Sequence, residues 1–278
     1  LKKSEHTEVV LVTGATSGLG RAIAEGLAKA GYRVFGTGRK ERIPVDREGG
    51  LVGGFTYLPM DLLKLASIEE VVRTVVTRSS RLDILIACAG MGTAGPVEEM
   101  NMDDVIAQMN TNFVGTAMTV KTALPWMRCQ GGGKIIVVSS IAGRMGMPFQ
   151  AHYSASKFAL EGFCESLRYE VRDFGIQVCL LEPGDFATGF TAARKKTVNP
   201  NSPYADLFSH VLGKQEHDEM QGSTPRLAAQ TVLRLVRRRK IPVRKSVGPF
   251  IQRIAAVVKG FIPGSLFEKI YSLYYGIR

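Results

Sequence analysis

The chain has 278 residues and a mass of 30.3 kDa, long enough for one large α/β domain with a full core. With 45% hydrophobic and 22% charged residues and 30 glycines, it is not collagen-like, low-complexity or disordered as a whole. The formal net charge is +11, and residues 231–278 hold 11 Lys or Arg against the single acid Glu268, so nearly all the excess is C-terminal.

Cys88, Cys129, Cys164 and Cys179 show neither CxxC spacing nor a paired histidine. A disulfide framework and a metal site are therefore not expected, and a reducing compartment is. No apolar run approaches the roughly 18 residues of a membrane span, and no secretory leader precedes the first strand. The expectation is a cytoplasmic protein, with peripheral membrane contact through its basic C-terminal segment as one reading of the charge. A solvated helix covering the core is the other. Nucleic-acid binding is not expected, because no aromatics alternate with the charges and no helix-turn-helix, RNA-binding or zinc-finger pattern accompanies them.

Short β-rich runs at Val9–Val12, Arg33–Thr37, Phe55–Met60, Ile84–Cys88, Lys134–Ser139 and Ile176–Leu181 alternate with helical periodicity near 18–30, 67–79, 102–129 and 153–174. That rhythm predicts a doubly wound parallel sheet covered on both faces, a Rossmann-type α/β fold. Beyond Glu182 the rhythm fails. Lys195 to Tyr204 reads as a mobile loop, followed by a helix near 225–239 and a short strand at Ile241–Val243. The expected organisation is a single domain over 1–278, with a core at about 8–190 plus 222–248, a substrate lid at about 190–221 and a basic amphipathic helical extension at about 249–278.

The first strand runs directly into TGATSGLG, with Gly14, Gly18 and Gly20 on the turn to a helix. Glycine there gives a tight turn, lets backbone amides approach a pyrophosphate, and allows close helix packing. Thr16, Ser17 and Leu19 belong to the same turn. The second strand ends in Gly38-Arg39 with no acid to accept from an adenosine ribose, which favours NADP(H) over NAD. Arg39 would pair with the 2′-phosphate, helped by Lys40 or Arg42. Asp61, with Leu62 beside it, either accepts from the adenine amino group or caps the helix near Ser67.

Tyr153 and Lys157 stand four apart on a predicted helix and share one face. A phenolate accessible near pH 7 needs a shift of roughly three units from a reference pKa of about 10, or about 4 kcal/mol. Lys157 and a nicotinamide cation would supply it.

The glycine motif and the Tyr153-x-x-x-Lys157 pair resemble those of the short-chain dehydrogenase/reductase family, over roughly residues 8 to 190. The resemblance implies Ser140 rather than Ser139 as the catalytic serine. It implies Asn112 rather than Asn110 as the asparagine whose backbone holds a proton-relay water. Pro183, Gly184 and Thr188 would close over the nicotinamide, and Ala89 and Gly90 would follow the fourth strand in the cofactor site. Cys88 stands where the family usually has Asn, which should alter stability more than chemistry; as a nucleophile it has no basic neighbour. Helices carrying Asn112 and Tyr153 would pair subunits into a homodimer or homotetramer.

The stretch PFQAHYSASKFALEGFCESLRYE looks most like the branch containing 17β-hydroxysteroid dehydrogenases and retinol dehydrogenases. The expected reaction interconverts a lipophilic secondary alcohol and ketone, or an alcohol and aldehyde. Met145, Met147, Phe149, Phe190, Leu207, Phe208 and Leu212 are the candidate apolar pocket, with His210 or His217 reaching a distal polar group. A 3-ketoacyl thioester reductase and a non-catalytic NADP(H)-binding regulatory module are the alternatives.

Overall fold

The computed structural model describes residues 7–39 and 51–277; Lys40 and Arg42 lie outside them. The amino-terminal half runs β1 (Val9–Val12), α1 (Gly18–Lys29), β2 (Arg33–Gly38), β3 (Leu51–Val52), β4 (Phe55–Pro59), α2 (Leu65–Ser79), β5 (Ile84–Ala87), β6 (Thr93–Ala94), α3 (Met102–Met109) and α4 (Gly115–Cys129). The remainder is β7 (Gly133–Val138), α5 (Ala151–Glu170), β8 (Ile176–Pro183), α6 (Phe190–Ala193), β9 (Lys195–Lys196), α7 (Ala205–Met220), α8 (Pro225–Val236), β10 (Arg244–Val247), α9 (Phe250–Val258) and α10 (Gly264–Tyr275).

The main sheet has the order β10-β8-β7-β5-β1-β2-β4-β3, parallel except for the short edge strand β3. Its strands are apolar on both faces because helices cover both. Leu11, Leu85, Ile135, Val137, Val178 and Leu180 point to one side, against α2, α4 and α5. Their neighbours Val10, Val12, Ile84, Ile86, Ile136 and Leu181 point to the other, against α1 and α8. The strand order reverses between β1 and β5, which puts a crevice beyond the carboxyl ends of these strands.

Four expectations are corrected. The helix expected over 102–129 is interrupted by a π-turn, Asn110–Val114, between α3 and α4. The short strand at Ile241–Val243 is displaced to β10. Ile241 instead buries its side chain and donates its N–H to Gln177 Oε1 at 2.8 Å. The segment expected as a mobile loop begins as β9, paired with β6, and is held by Lys195 on Asp104 at 2.7 Å and by Asn199 N donating to Glu99 at 2.9 Å.

The C-terminal extension is two helices rather than one, with Arg253, Lys259, Lys269 and Arg278 against Glu268. The basic run Arg237–Lys240 lies at the opposite, amino-terminal edge of the sheet, where the Arg239 carbonyl accepts from Gln177 at the start of β8. Helix α9 instead sits at the carboxyl edge. There Gln252 Oε1 accepts from Asp185 N at 2.9 Å, and Lys259 donates to the Arg144 carbonyl at 2.9 Å.

Candidate active site

The glycine turn leaves β1 and enters α1 with Gly18 at φ +55°, a conformation that side chains other than glycine's rarely adopt. A Cβ on Gly20 would collide with the Gly14 carbonyl, so the helix start lies directly on the strand end. A Cβ on Gly18 would make an ordinary van der Waals contact with Thr188, at 3.7 Å. The glycine turn thus leads into a helix N-terminus with no acid in its first turn, which favours a negatively charged group.

Thr16 underlies Gly38 at the end of β2, beside the exposed Arg39. Ser17, at the N-cap of α1, is exposed, and Leu19 packs partly on the core. Ala89 lies against Gly14, and Leu62 against Gly115. Asp61 accepts from Leu63 N at 3.0 Å, while its own N–H donates to Ser67 Oγ at 3.0 Å, so the carboxylate turns its local loop rather than capping α2. Pro183 ends β8, and Gly184 N donates to Val247 O at 2.8 Å.

Where the family usually has Asn, Cys88 donates its backbone N–H to Thr13 Oγ1 at 3.0 Å, and Ala89 does the same at 3.1 Å. Thr13 thereby ties β1 to the end of β5. Burial pushes the Cys88 thiol up to about 12, so it carries no thiolate at neutral pH.

Ser140, Tyr153, Lys157 and Asn112 converge at the carboxyl edge. The Ser140 hydroxyl donates to Pro183 O at 3.4 Å and acts as a hydrogen-bond partner of the Tyr153 phenol. Ser139 faces Glu161 instead. Lys157 Nζ donates to Val138 O at 3.1 Å and lies 5.7 Å from the Tyr153 ring centroid. A Cβ on Gly90 would stand 3.3 Å from Asn112 Oδ1 and 3.7 Å from Lys157 Nζ, so these groups share one small space.

Asn112 is fully buried in the π-turn, whereas Asn110 is exposed. Its amide accepts from Met91 N at 2.8 Å and donates to Met91 O at 2.9 Å and Ser156 Oγ at 3.0 Å. The Gly115 N–H reaches Asn110 O, five residues back, so the regular backbone ladder is broken around Asn112.

Burial pushes the Tyr153 phenol up to about 12, with Ser140 and Arg194 pulling against it. Burial also brings Lys157 down to about 8. Burial thus opposes the phenolate, and the lowering expected from Lys157 and a nicotinamide cation would have to act against it.

The matched family model is that of the short chain dehydrogenases, over residues 8–199. The chain belongs to this family. A 3-ketodihydrosphingosine reductase of Bacteroides thetaiotaomicron is 40% identical over 98% of this chain and 99% of its own. Human 17-beta-hydroxysteroid dehydrogenase type 1 is 36% identical over 66% of this chain and 58% of its own. Among solved structures, a short-chain dehydrogenase from Streptomyces avermitilis superposes with a TM-score of 0.78 at 30% identity, covering 93% of this chain and 97% of its own. A point variant of actinorhodin polyketide ketoreductase with NADPH gives 0.72 at 27%, covering 87% and 95%. The chain is accordingly a short-chain dehydrogenase/reductase near the hydroxysteroid and retinol dehydrogenase branch, and an oxidoreductase.

The expected pocket residues of this dehydrogenase divide. Phe149, Phe208 and Leu212 cluster with Ala94 and Val198, the first two edge-to-face at 5.4 Å. Phe149 also borders a cavity of about 490 Å³ with Gly95, Val97 and Tyr204. Phe190 lies 5.8 Å from the Tyr153 ring. Met145 is core, packed with Ile141 and Ala256; Met147 is half-buried and Leu207 exposed. His210 and His217 are both exposed. The charged lid groups whose fields reach Tyr153 are Arg194 and Glu219, which the sequence reading missed for want of any motif around them.

Proposed function

We propose that this chain is an NADPH-dependent reductase of a long-chain, lipophilic ketone, of the kind handled by a 3-ketodihydrosphingosine reductase. The observation that carries the reading is the convergence of Ser140, Tyr153, Lys157 and Asn112 on one space at the carboxyl edge, beside the glycine turn; the reductive direction is taken from the 40% identical relative, a reductase. Support for the substrate class is the 40% identity along nearly the whole of both chains.

The chain's own groups fit the cofactor. The glycine turn at the start of α1 suits a pyrophosphate, and Arg39 at the end of β2, with no acid beside it among the described residues, suits a 2′-phosphate. NADPH supplies the hydride when bound. Ser140 hydrogen-bonds the carbonyl oxygen as charge develops on it, and Tyr153 donates its phenolic proton there. Lys157 steadies the phenolate left behind, and Asn112, in the broken helix, holds the route by which the proton is replaced. Ketone, NADPH and one proton become alcohol and NADP+. Pro183, Gly184 and Thr188 close the crevice from the β8 side.

In an assay following NADPH oxidation, with NADH in parallel, long-chain 3-ketones should be reduced, and Tyr153→Phe should lose at least about a thousandfold in turnover while binding NADPH normally. Normal turnover in that variant would sink the assignment. Reduction confined to thioesters would favour the ketoacyl alternative.

Two assembly readings have specific support. Helices α9 and α10 expose apolar stripes at helical spacing: Phe250, Ile251, Ile254, Val257 and Val258 on one, Leu266, Ile270, Leu273 and Tyr274 on the other, with Phe261 between them 85% exposed. No helix among the described residues is long and apolar enough to cross a membrane; these stripes suit lying in a bilayer surface. Trp126 on α4, and Phe158 and Tyr169 on α5, are exposed too, as pairing through those helices requires. Light scattering should give a mass of two or four times 30.3 kDa, reduced in Trp126→Glu; a monomeric parent chain would refute the pairing.

A further inference from the structure

Arg194 ends α6 with its side chain only 1% exposed. One guanidinium nitrogen, Nη2, donates to Glu219, whose other oxygen accepts from Thr191 Oγ1 at 2.6 Å. Nη1 stands 3.8 Å from Glu216 Oε1. Arg194 Nε and Nη1, and Glu216 Oε1, have no hydrogen-bond partner among the described residues. Two unmet donors therefore lie beside the Glu216 carboxylate, which Lys196 holds with Nζ 2.7 Å from Oε1 and donating to Oε2 at 3.0 Å. Groups this buried are seldom left unmatched unless a ligand or water completes them.

Their place is at the chemistry. The Arg194 guanidinium carbon is 5.8 Å from the Phe190 ring, which is itself 5.8 Å from the Tyr153 ring. Arg194 and Glu219 also act on the Tyr153 phenol in opposite directions. The cluster of Arg194, Lys196, Glu216 and Glu219 is neutral, so a phosphate or carboxylate would face two carboxylates with no excess of cations. A hydroxyl oxygen can accept from Nε and Nη1, and a neighbouring amine can donate to Glu216 Oε1.

We propose that Arg194 and Glu216 form a head-group subsite that selects ketones bearing an amine on the carbon next to the carbonyl and a hydroxyl on the carbon beyond it. The apolar wall of Phe149, Phe208 and Leu212 then takes the chain on the other side of the ketone. This deepens, and rests on, the reading of the enzyme as a long-chain ketone reductase.

The test compares two ketones of equal chain length, a long-chain 2-amino-1-hydroxy-3-ketone and the plain 3-ketone, by kcat/KM with NADPH. The intact enzyme should prefer the amino alcohol by tenfold or more, roughly the discrimination of one or two hydrogen bonds. Glu216→Gln and Arg194→Lys should each shrink that ratio about tenfold, chiefly through KM for the amino-hydroxy ketone. NADPH affinity and melting temperature, measured alongside, separate loss of the subsite from loss of the lid. Glu216→Gln keeps the side-chain shape and so remains informative if Arg194→Lys misfolds. Reduction of both ketones with a ratio unchanged in Glu216→Gln, or a preference of the intact enzyme for the plain ketone, would overturn the subsite while leaving the ketone-reductase reading standing. No reduction of either ketone would overturn both.

Discussion

Burial sets the two pivotal protonation states in opposite ways, raising Tyr153 to about 12 and lowering Lys157 to about 8. Below pH 8 Lys157 carries its charge and Tyr153 its proton, the combination a reductase needs. As pH rises through 8 the lysine charge is lost while the phenol is still protonated. We therefore expect kcat/KM for reduction to hold up to about pH 8 and fall above it, with the limb moving upward in Lys157→Arg; a profile flat to pH 10 would contradict this. Tyr153 and Lys157 were legible from their spacing on one helix face, whereas Ser140 and Asn112 were legible only through the resemblance to the short-chain dehydrogenase/reductase family. The desolvation that pushes the Tyr153 phenol up was not, because it depends on tertiary packing around the site. Arg194, Glu216 and Glu219 were equally hidden: their meeting is a property of how α6 packs on α7, and nothing local to an isolated lid arginine announces it.

At the scale of the element, alternation of burial made the sheet strands and their flanking helices readable, since every apolar run had a face on each layer. What failed was wherever a tertiary contact redirected the chain. Gln177 draws the backbone at Ile241 away from pairing, the ion pair with Asp104 orders the segment at Lys195, and the π-turn adds a residue that helical periodicity absorbs unnoticed. Helices α9 and α10 are legible as an amphipathic extension, yet not the whereabouts of its charge. In the proposed docking the exposed stripes would act by apolar contact, each large side chain adding about 1.5–3 kcal/mol when fully buried. The enzyme should therefore float with neutral phosphatidylcholine vesicles and stay with them in high salt. Ile251→Ser with Phe261→Ser should cut the bound fraction about tenfold or more. A parent chain left wholly in the aqueous layer would show that the stripes face something other than lipid.

Over the whole molecule, the sheet separates two kinds of surface. The crevice, the lid and the apolar helices gather at the carboxyl edge, and Arg237, Arg238, Arg239 and Lys240 crown the amino edge. The order of strands, and hence the location of the site, followed from the βαβ rhythm. The partition of charge did not, because residues close in sequence, from Lys240 to Phe250, span the sheet from one edge to the other along β10.

The basic run Arg237–Lys240 and the apolar stripes of α9 and α10 lie at opposite edges of the sheet, so one flat surface would not engage both at once. In the proposed docking the grip is apolar and draws nothing from that run. Salt, which screens charges beyond roughly 8 Å at physiological strength, should therefore leave binding to neutral vesicles unchanged, and replacing Arg237–Arg239 by Gln should leave it unchanged too.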